Sequence, residues 1–152
     1  EETRLQSTVV QEDLRRVGIE LDLRSYEFAT FFADVLKGNF QMFSLTWTGA
    51  SLVDPDILRR VFHSDQTPPS GFNRGYYRNA DVDRLLDRAT QSTNEEERAR
   101  AYREAQKLIA VDAPHIPLWN RTIVVVAQRS LDGLHLNAIG DFQALREVRR
   151  AR

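Results

Sequence analysis

Residues that commonly carry out chemistry are sparse and scattered in this chain of 152 residues. The chain has no cysteine, which excludes a disulfide framework, a thiolate metal site and a cysteine nucleophile. The three histidines, His63, His115 and His135, are far apart and do not show the close spacing of metal ligands. The segment "GFNRG" lacks the glycine spacing and the lysine of a phosphate loop, and no Gly-x-Ser-x-Gly motif occurs. We therefore expect a protein that is not an enzyme, with no cofactor and no bound metal.

Two carboxylates, Asp54 and Asp56, are close enough in sequence to act together. They flank Pro55, and an aspartate followed by a proline is typical of the first residues of a helix. Acidic side chains at that place cap free backbone N–H groups and interact favourably with the helix dipole. A helix N-cap at Asp54 therefore explains the pair without catalysis, and the helix is predicted to end near Phe62.

The segment just before this helix has a composition that suits contact with another molecule. It begins with Trp47, which offers a broad amphipathic face. Thr48, Gly49, Ala50 and Ser51 follow, and such small residues let a ligand approach the backbone closely. Two interpretations are equally open: Trp47 is a core residue at the end of a strand, or the segment contacts a solute.

The composition is that of a globular domain with a substantial core. The chain is 41% hydrophobic and 28% charged, and its formal net charge is −1. Acidic and basic residues are interleaved, which argues against a nucleic-acid-binding surface, and no apolar run is long enough to span a bilayer. The sequence starts within a helical pattern and without a methionine, so we expect a piece of a longer protein or a processed product.

Apolar spacing predicts alternating helices and strands around these residues. Helical periodicity predicts main helices at residues 5–17, 28–37, 80–90 and 95–112. The last of these follows "TNEE" at 93–96, a capping box that begins with Thr93. β-prone patterns predict strands at 19–24, 40–46 and 116–128, so the order of elements favours an α/β fold with a parallel or mixed sheet. Residues 63–79, rich in breakers and aromatics, are predicted to form an ordered loop or a lid.

An ordered set of motifs along the chain resembles one protein family. The set consists of "VVQEDLRRVGIELDLR", "FFADVLKGNFQMFSLTWTG", "DPD", "YYRNADVDRLLDRA" and "EERARAYREAQKLIAVDAPHIPLW". It resembles the C-terminal half of the extracytoplasmic solute-binding proteins of family 5, the peptide- and nickel-type binding subunits of ABC importers. The resemblance runs from about Thr3 to Val148; no single motif is specific, but the ordered set is.

The resemblance implies an α/β, periplasmic-binding-protein-like fold of type II, cluster C. Its lobe has a mixed sheet flanked by helices and is followed by an extended C-terminal tail. Residues 1–125 would form the second, ligand-closing lobe, incomplete at its N-terminus, and residues 126–152 would form the crossover and the tail that belongs to the first lobe. Apolar residues of the tail would then lack their cover, so we expect a dimer of the chain through its tail, a swapped tail, or a tail folded back on the lobe.

The resemblance also implies which residues face the ligand cleft, namely Trp47, Thr48, Gly49, Ala50, Ser51 and Asp54. In dipeptide and oligopeptide binders of the family, an aspartate commonly stands three residues after this tryptophan and pairs with the ligand's α-ammonium group. Here that position is Ala50, which cannot form such a charge-assisted hydrogen bond. This departure argues against ordinary recognition of a peptide's free amine.

The function that the resemblance implies is capture of a peptide-like or other small solute for an ABC importer by closure of two lobes. The implied partners are the solute, an ABC permease and the missing N-terminal lobe of the same protein, and not nucleic acid. The implied location is periplasmic or extracytoplasmic, with or without a membrane anchor in the full-length protein. The alternative is an extracytoplasmic sensor or chaperone-like receptor on the same scaffold.

Overall fold

The chain forms two compact units, Glu1–Phe40 and Gln41–Arg152, in a computed structural model. The structure describes residues 2–47, 54–120, 122–136 and 142–151. The elements in chain order are α1 Glu2–Arg16, α2 Phe28–Lys37, α3 Ile57–Phe62, α4 Ala80–Gln91, α5 Glu95–Asp112, β1 Leu131–Asp132, a 3₁₀ helix Phe142–Glu147 and β2 Arg149–Arg150. The four main helices predicted from the sequence are confirmed, with bounds that differ by at most three residues.

The first unit contains α1 and α2, and a glycine ends each helix. Gly18 follows α1 with a φ of +84°, and the next amide N–H donates to the carbonyl of Leu14 at 2.9 Å. Gly38 follows α2 with a φ of +75°, and the next amide N–H donates to the carbonyl of Asp34 at 2.9 Å. Glycine adopts this left-handed conformation without a Cβ penalty, so both helices end in the hydrogen-bonding pattern of a Schellman motif.

The core of the second unit lies between α4 and α5. Its buried side chains recur at a spacing of three or four residues along each helix, apart from the adjacent Ala101 and Tyr102, which places them on one helix face. They are Val82, Leu86, Ala89, Ala101, Tyr102, Ala105 and Ile109. Three of them are alanines, and all three are buried. Leu58 and Phe62 of α3, and Tyr77 of the loop between α3 and α4, pack against this cluster.

The N-cap of α5 lies one residue later than its capping box predicts, although the helix begins at Glu95 as predicted. Asn94 is the N-cap, and its side-chain oxygen accepts the amide N–H of Glu97 at 3.1 Å. The carboxylate of Glu97 accepts hydrogen bonds from Ser92 and Arg88, at 2.7 Å each, which link the end of α4 to the start of α5. The prediction of Thr93 as the cap is therefore corrected to Asn94, a stronger N-cap residue than threonine.

The three predicted strands do not form as strands in this chain. The described residues of 19–24, 40–46 and 116–128 are neither helical nor strand-paired. A strand requires a neighbour for its N–H and C=O groups, and β propensity alone supplies none. In the last segment the apolar side chains stay in solvent, and Val124 and Val126 are 76% and 93% exposed.

The described residues after 130 pair with one another. Leu131 lies opposite Arg150 in an antiparallel pair, and these two short strands form the single sheet among the described residues. Gly133 permits the close approach, because a Cβ at this position would lie 2.3 Å from the carbonyl oxygen of Glu147. The side chain of Phe142 nevertheless remains largely exposed, so this local pairing leaves apolar surface uncovered.

Candidate functional site

Trp47 lies at the surface of the second unit and is 41% exposed. Its ring meets the ring of Phe72 edge-on, with centroids 6.0 Å apart and an interplanar angle of 61°. The guanidinium carbon of Arg74 lies 4.8 Å from the Trp47 ring centroid and 5.5 Å from that of Phe72. A cation at these distances is attracted by the electron-rich face of an aromatic ring. We call Trp47, Phe72 and Arg74 the aromatic face; it is a surface feature and lies outside the hydrophobic core cluster.

Four of the six predicted cleft residues lie outside the described part of the chain: Thr48, Gly49, Ala50 and Ser51. Their contact with a solute stays a prediction, and so does the weak recognition of a free amine expected from alanine at position 50. The two described residues, Trp47 and Asp54, stand on either side of this segment in the sequence.

Asp54 stabilises the turn that leads into α3. Its Oδ1 accepts the amide N–H of Asp56 at 2.9 Å, and the guanidinium of Arg98 donates to both carboxylate oxygens at 3.2 and 3.3 Å. The backbone hydrogen bond from Asp56 and the contact with Arg98 hold the pKa of Asp54 below its usual value. The N-cap of α3 is Asp56, without a side-chain cap hydrogen bond, so the predicted cap at Asp54 lies two residues too early.

Residues 63–79 form an ordered loop between α3 and α4, as predicted, and Asn73 holds it together. The Asn73 side chain is 1% exposed. Its amide nitrogen donates to the carbonyls of His63 at 3.1 Å and Tyr77 at 2.8 Å, and its amide oxygen accepts the N–H of Tyr77 at 3.0 Å. One buried side chain thus ties together two distant parts of the loop. The sequence interpretation did not single out Asn73; the available signal was an asparagine between two glycines in a stretch of breakers.

Gly71 brings the same loop against itself. A Cβ at this position would lie 2.1 Å from the carbonyl oxygen of Gln66, so only glycine fits. That carbonyl also accepts the amide N–H of Asn73 at 2.7 Å. Gly71 and Asn73 are thus held by close packing and hydrogen bonds within the loop. Phe72 and Arg74, which contact the tryptophan ring, alternate with them in the sequence.

A buried histidine links α3 and the loop to α4. His63 is largely buried, with Nδ1 2.7 Å from Oδ1 of Asp65 and Nε2 3.3 Å from Oδ1 of Asp87. Arg59 joins the same two carboxylates at 2.9 and 3.2 Å. The interpretation of His63 as an ordinary loop residue missed this network, because the contact with Asp87 of α4 joins residues that are far apart in sequence. Among the described residues, no group of three or more histidine, cysteine, aspartate or glutamate side chains is arranged to hold a metal ion.

The end of the loop is fixed to the end of α5 by Tyr77 and Asp112. The tyrosine hydroxyl donates to Oδ2 of Asp112 at 2.5 Å, and the side-chain amide of Asn79 donates to the same oxygen at 2.7 Å. Burial, followed by the hydrogen bond to Asp112, raises the pKa of Tyr77 to about 12. The hydrogen bonds from Tyr77 and then Asn79 lower the pKa of Asp112. Polar contacts thus hold both ends of the loop that carries Phe72 and Arg74.

Solved structures show the class of fold. HbpA2 from Haemophilus parasuis superposes with a TM-score of 0.77 at 23% identity, over 98% of this chain and 29% of that chain. The oligopeptide-binding protein AppA from Bacillus subtilis, in complex with a nonapeptide, superposes with a TM-score of 0.74 at 21% identity and the same coverage. The fold is therefore α/β and periplasmic-binding-protein-like, as predicted.

Relatives in sequence indicate which kind of periplasmic binding protein the chain is similar to. The chain is 30% identical over 128 residues to the probable D,D-dipeptide-binding periplasmic protein DdpA of Escherichia coli K12, covering 84% of this chain and 24% of that protein. It is 28% identical over 128 residues to the glutathione-binding protein GsiB of Salmonella choleraesuis, covering 81% and 25%. It is 28% identical over 141 residues to the peptide transport periplasmic protein SapA of Haemophilus influenzae, covering 90% and 25%. No family model matches the chain.

These matches confirm the resemblance to solute-binding proteins of family 5: the chain is homologous to part of these periplasmic binding proteins for peptides and glutathione. It spans about a quarter of the length of the curated relatives it matches. Their names describe binding and transport, not catalysis. Every helix in the described part of the chain is too short or too polar to cross a lipid bilayer.

Proposed function

We propose that this chain is part of a solute-binding protein that captures peptide-like or other small solutes for an ABC importer, outside the cytoplasmic membrane. The observation that carries the proposal is the match, over 81% to 90% of the chain, to relatives named for dipeptides, glutathione and peptide transport. A solute would act by binding the closed arrangement of two lobes more tightly than the open one. The partners are then the solute, an ABC permease and the remaining lobe.

We propose that residues 1–125 belong to the second lobe and residues 126–152 to the crossover and the tail of the first lobe. The much greater length of the matched relatives supports a larger protein. The exposed apolar side chains at 123–126 and in the tail support a covering partner for this surface. Without that cover the chain should form dimers through its tail, which light scattering over a range of concentrations measures.

The aromatic face is the described surface best suited to contact the solute. Trp47 and Phe72 are 41% and 38% exposed, so their rings are reachable from solvent although they also contact each other. Aromatic rings offer large contact areas at a small cost in conformational entropy. Backbone groups of the segment at 48–51 would hydrogen-bond a peptide-like solute, which makes selectivity for its side chains low.

The full-length protein and this chain, each incubated with a library of tripeptides, test the proposed function. Peptides retained after separation are identified by mass spectrometry. The full-length protein should retain peptides, and this chain alone should retain few, because one lobe cannot enclose a solute. Failure of the full-length protein to retain any peptide would contradict a peptide-like solute, and equal retention by this chain would contradict a cleft between two lobes.

Single substitutions in the full-length protein show whether Trp47 belongs to the site. Trp47→Ala should reduce peptide retention about tenfold or more, since buried aromatic anchors often dominate binding energy. Tyr26→Ala removes another exposed aromatic side chain, in the other compact unit, and should leave retention unchanged. Equal losses in the two variants would show that the tryptophan has no special role.

A further inference from the structure

Arg74 gives the aromatic face a positive charge at a defined position. Its guanidinium lies within 5.5 Å of both ring centroids of the face, and the side chain is half-buried. An arginine stacked on an aromatic ring can still direct the N–H groups at its edges to a planar anion. The cation is therefore combined with two partly exposed rings on one surface.

The loop backbone fixes the position from which the Arg74 side chain extends. The amide N–H of Arg74 donates to the carbonyl of Phe72 at 2.8 Å, across the buried Asn73. Asn73 in turn makes three side-chain hydrogen bonds to other residues of the loop. A recognition group that is already positioned loses less conformational freedom on binding, which favours affinity and selectivity.

The first acid after Trp47 in the sequence, Asp54, already has hydrogen-bond partners. The carboxylate of Asp54 accepts hydrogen bonds from Arg98 and from the backbone of Asp56. Burial lowers the pKa of the Arg74 guanidinium, which means that this cation is partly withdrawn from water. A charge-assisted hydrogen bond is stronger in such surroundings than in open solvent.

We propose that Arg74 selects the charge of the solute by binding a carboxylate, while Trp47 and Phe72 pack beside the bound group. This inference rests on the proposed function and adds the chemical class of the group recognised. The solutes favoured are peptides with a free C-terminal carboxylate, and the selectivity belongs to the carboxylate and not to the α-ammonium group.

Two tripeptide libraries test the role of Arg74 in the full-length protein. Both lack aspartate and glutamate and keep a free amine, and they differ only in a C-terminal carboxylate or a C-terminal amide. The wild type should retain the free-acid library about ten- to a hundredfold better, the range for loss of one charge-assisted hydrogen bond. Arg74→Gln should remove this preference, and Arg74→Lys, which keeps the charge without the planar fork, should keep part of it.

Arg78→Gln is the matched control, because Arg78 is an exposed arginine in the same loop. It should keep the full preference, and the thermal unfolding midpoints of all variants show whether each remains folded. If Arg74→Gln does not fold, the other two variants decide. The role of Arg74 is overturned if folded Arg74→Lys keeps the full preference for the free-acid library, or if Arg78→Gln loses that preference. If wild type retains both libraries equally, or if Arg74→Gln keeps the preference, the proposed function stands and the role of Arg74 is overturned. If the wild type retains neither library, this inference is overturned, and the tripeptide library of the first experiment then decides whether the protein captures peptides at all.

Discussion

Two long stretches of the second unit lack helix and strand, yet they differ in what orders them. Residues 63–79 contain buried polar groups whose hydrogen-bond partners lie mostly within the same loop, such as Asn73 and the carbonyl of Gln66. Residues 116–120 and 122–128 form the second stretch, and the isoleucine and three valines at 123–126 stay exposed. A loop can therefore be ordered by its own polar groups, whereas a β-prone apolar run needs cover from another surface.

The largest expected effect is at the asparagine that orders the loop. Asn73→Ala should lower the free energy of unfolding by roughly 2–4 kcal/mol, because it leaves buried carbonyl and amide groups without partners. Asn120→Ala is the matched change in the other stretch, where the side chain is exposed, and should cost at most about 0.5 kcal/mol. Denaturant unfolding measures both values, and similar losses would remove the difference between the two stretches.

Two valine substitutions compare the stability contribution of a buried apolar side chain in α4 with that of an exposed one in the second stretch. Val82 is fully buried between α4 and α5, so Val82→Ala should cost about 2 kcal/mol through lost burial and a small cavity. Val126→Ala should change the free energy of unfolding by less than about 0.5 kcal/mol in this chain. A loss above about 1 kcal/mol for Val126→Ala would mean that this segment is packed, contrary to its exposure.

A smaller effect should appear in the pH dependence of stability. The lowered pKa of Asp112 gives stability above the pKa of the unfolded side chain, and this stability is lost as pH falls through the folded pKa. The raised pKa of Tyr77 gives stability below about pH 10, and this stability is lost as pH rises towards about 12. Tyr77→Phe should therefore flatten the stability profile at both the acid and the alkaline end.

Thermal unfolding midpoints at about pH 3, 7 and 11 decide this prediction, because the lowest pH lies below the ordinary pKa of an aspartate and the highest lies above that of a tyrosine. Tyr26→Phe, at an exposed tyrosine of the other unit, provides the reference profile. If the unfolding midpoint of Tyr77→Phe falls between about pH 7 and pH 3 as much as that of the wild type, the hydrogen bond to Asp112 does not contribute to stability.

Local signals in the sequence predicted the helices well. Residues 28–37 and 95–112 were predicted with the bounds that the structure shows, because apolar periodicity and glycine or proline breakers act within a few residues. The strands were not predicted correctly, because a strand depends on a partner that its own sequence does not specify. The N-cap of α5 was predicted at Thr93, one residue before the observed Asn94, although the bounds of the helix itself were correct.

The candidate site was predictable only in part. The Trp47 segment was identified from its composition and from the resemblance, but the side chains that contact the ring come from residues about 25 positions later. Nothing in the local sequence joins Trp47 to Phe72 and Arg74. The burial of Asn73 and His63 was missed for the same reason, since burial is decided by the whole fold and both residue types are common in exposed loops.

From Gly71 to Arg74, residues that keep the loop in its conformation alternate with residues whose side chains lie at the surface. Substitutions at the surface positions can therefore occur without loss of stability. Gly71 and Asn73 are constrained by a close backbone approach and by buried hydrogen bonds, whereas Phe72 and Arg74 contribute contacts at the surface. The two surface positions can therefore exchange aromatic, basic or polar side chains while the loop keeps its path. A short stretch of this kind lets the side chains on its surface change without first rebuilding the scaffold that presents them.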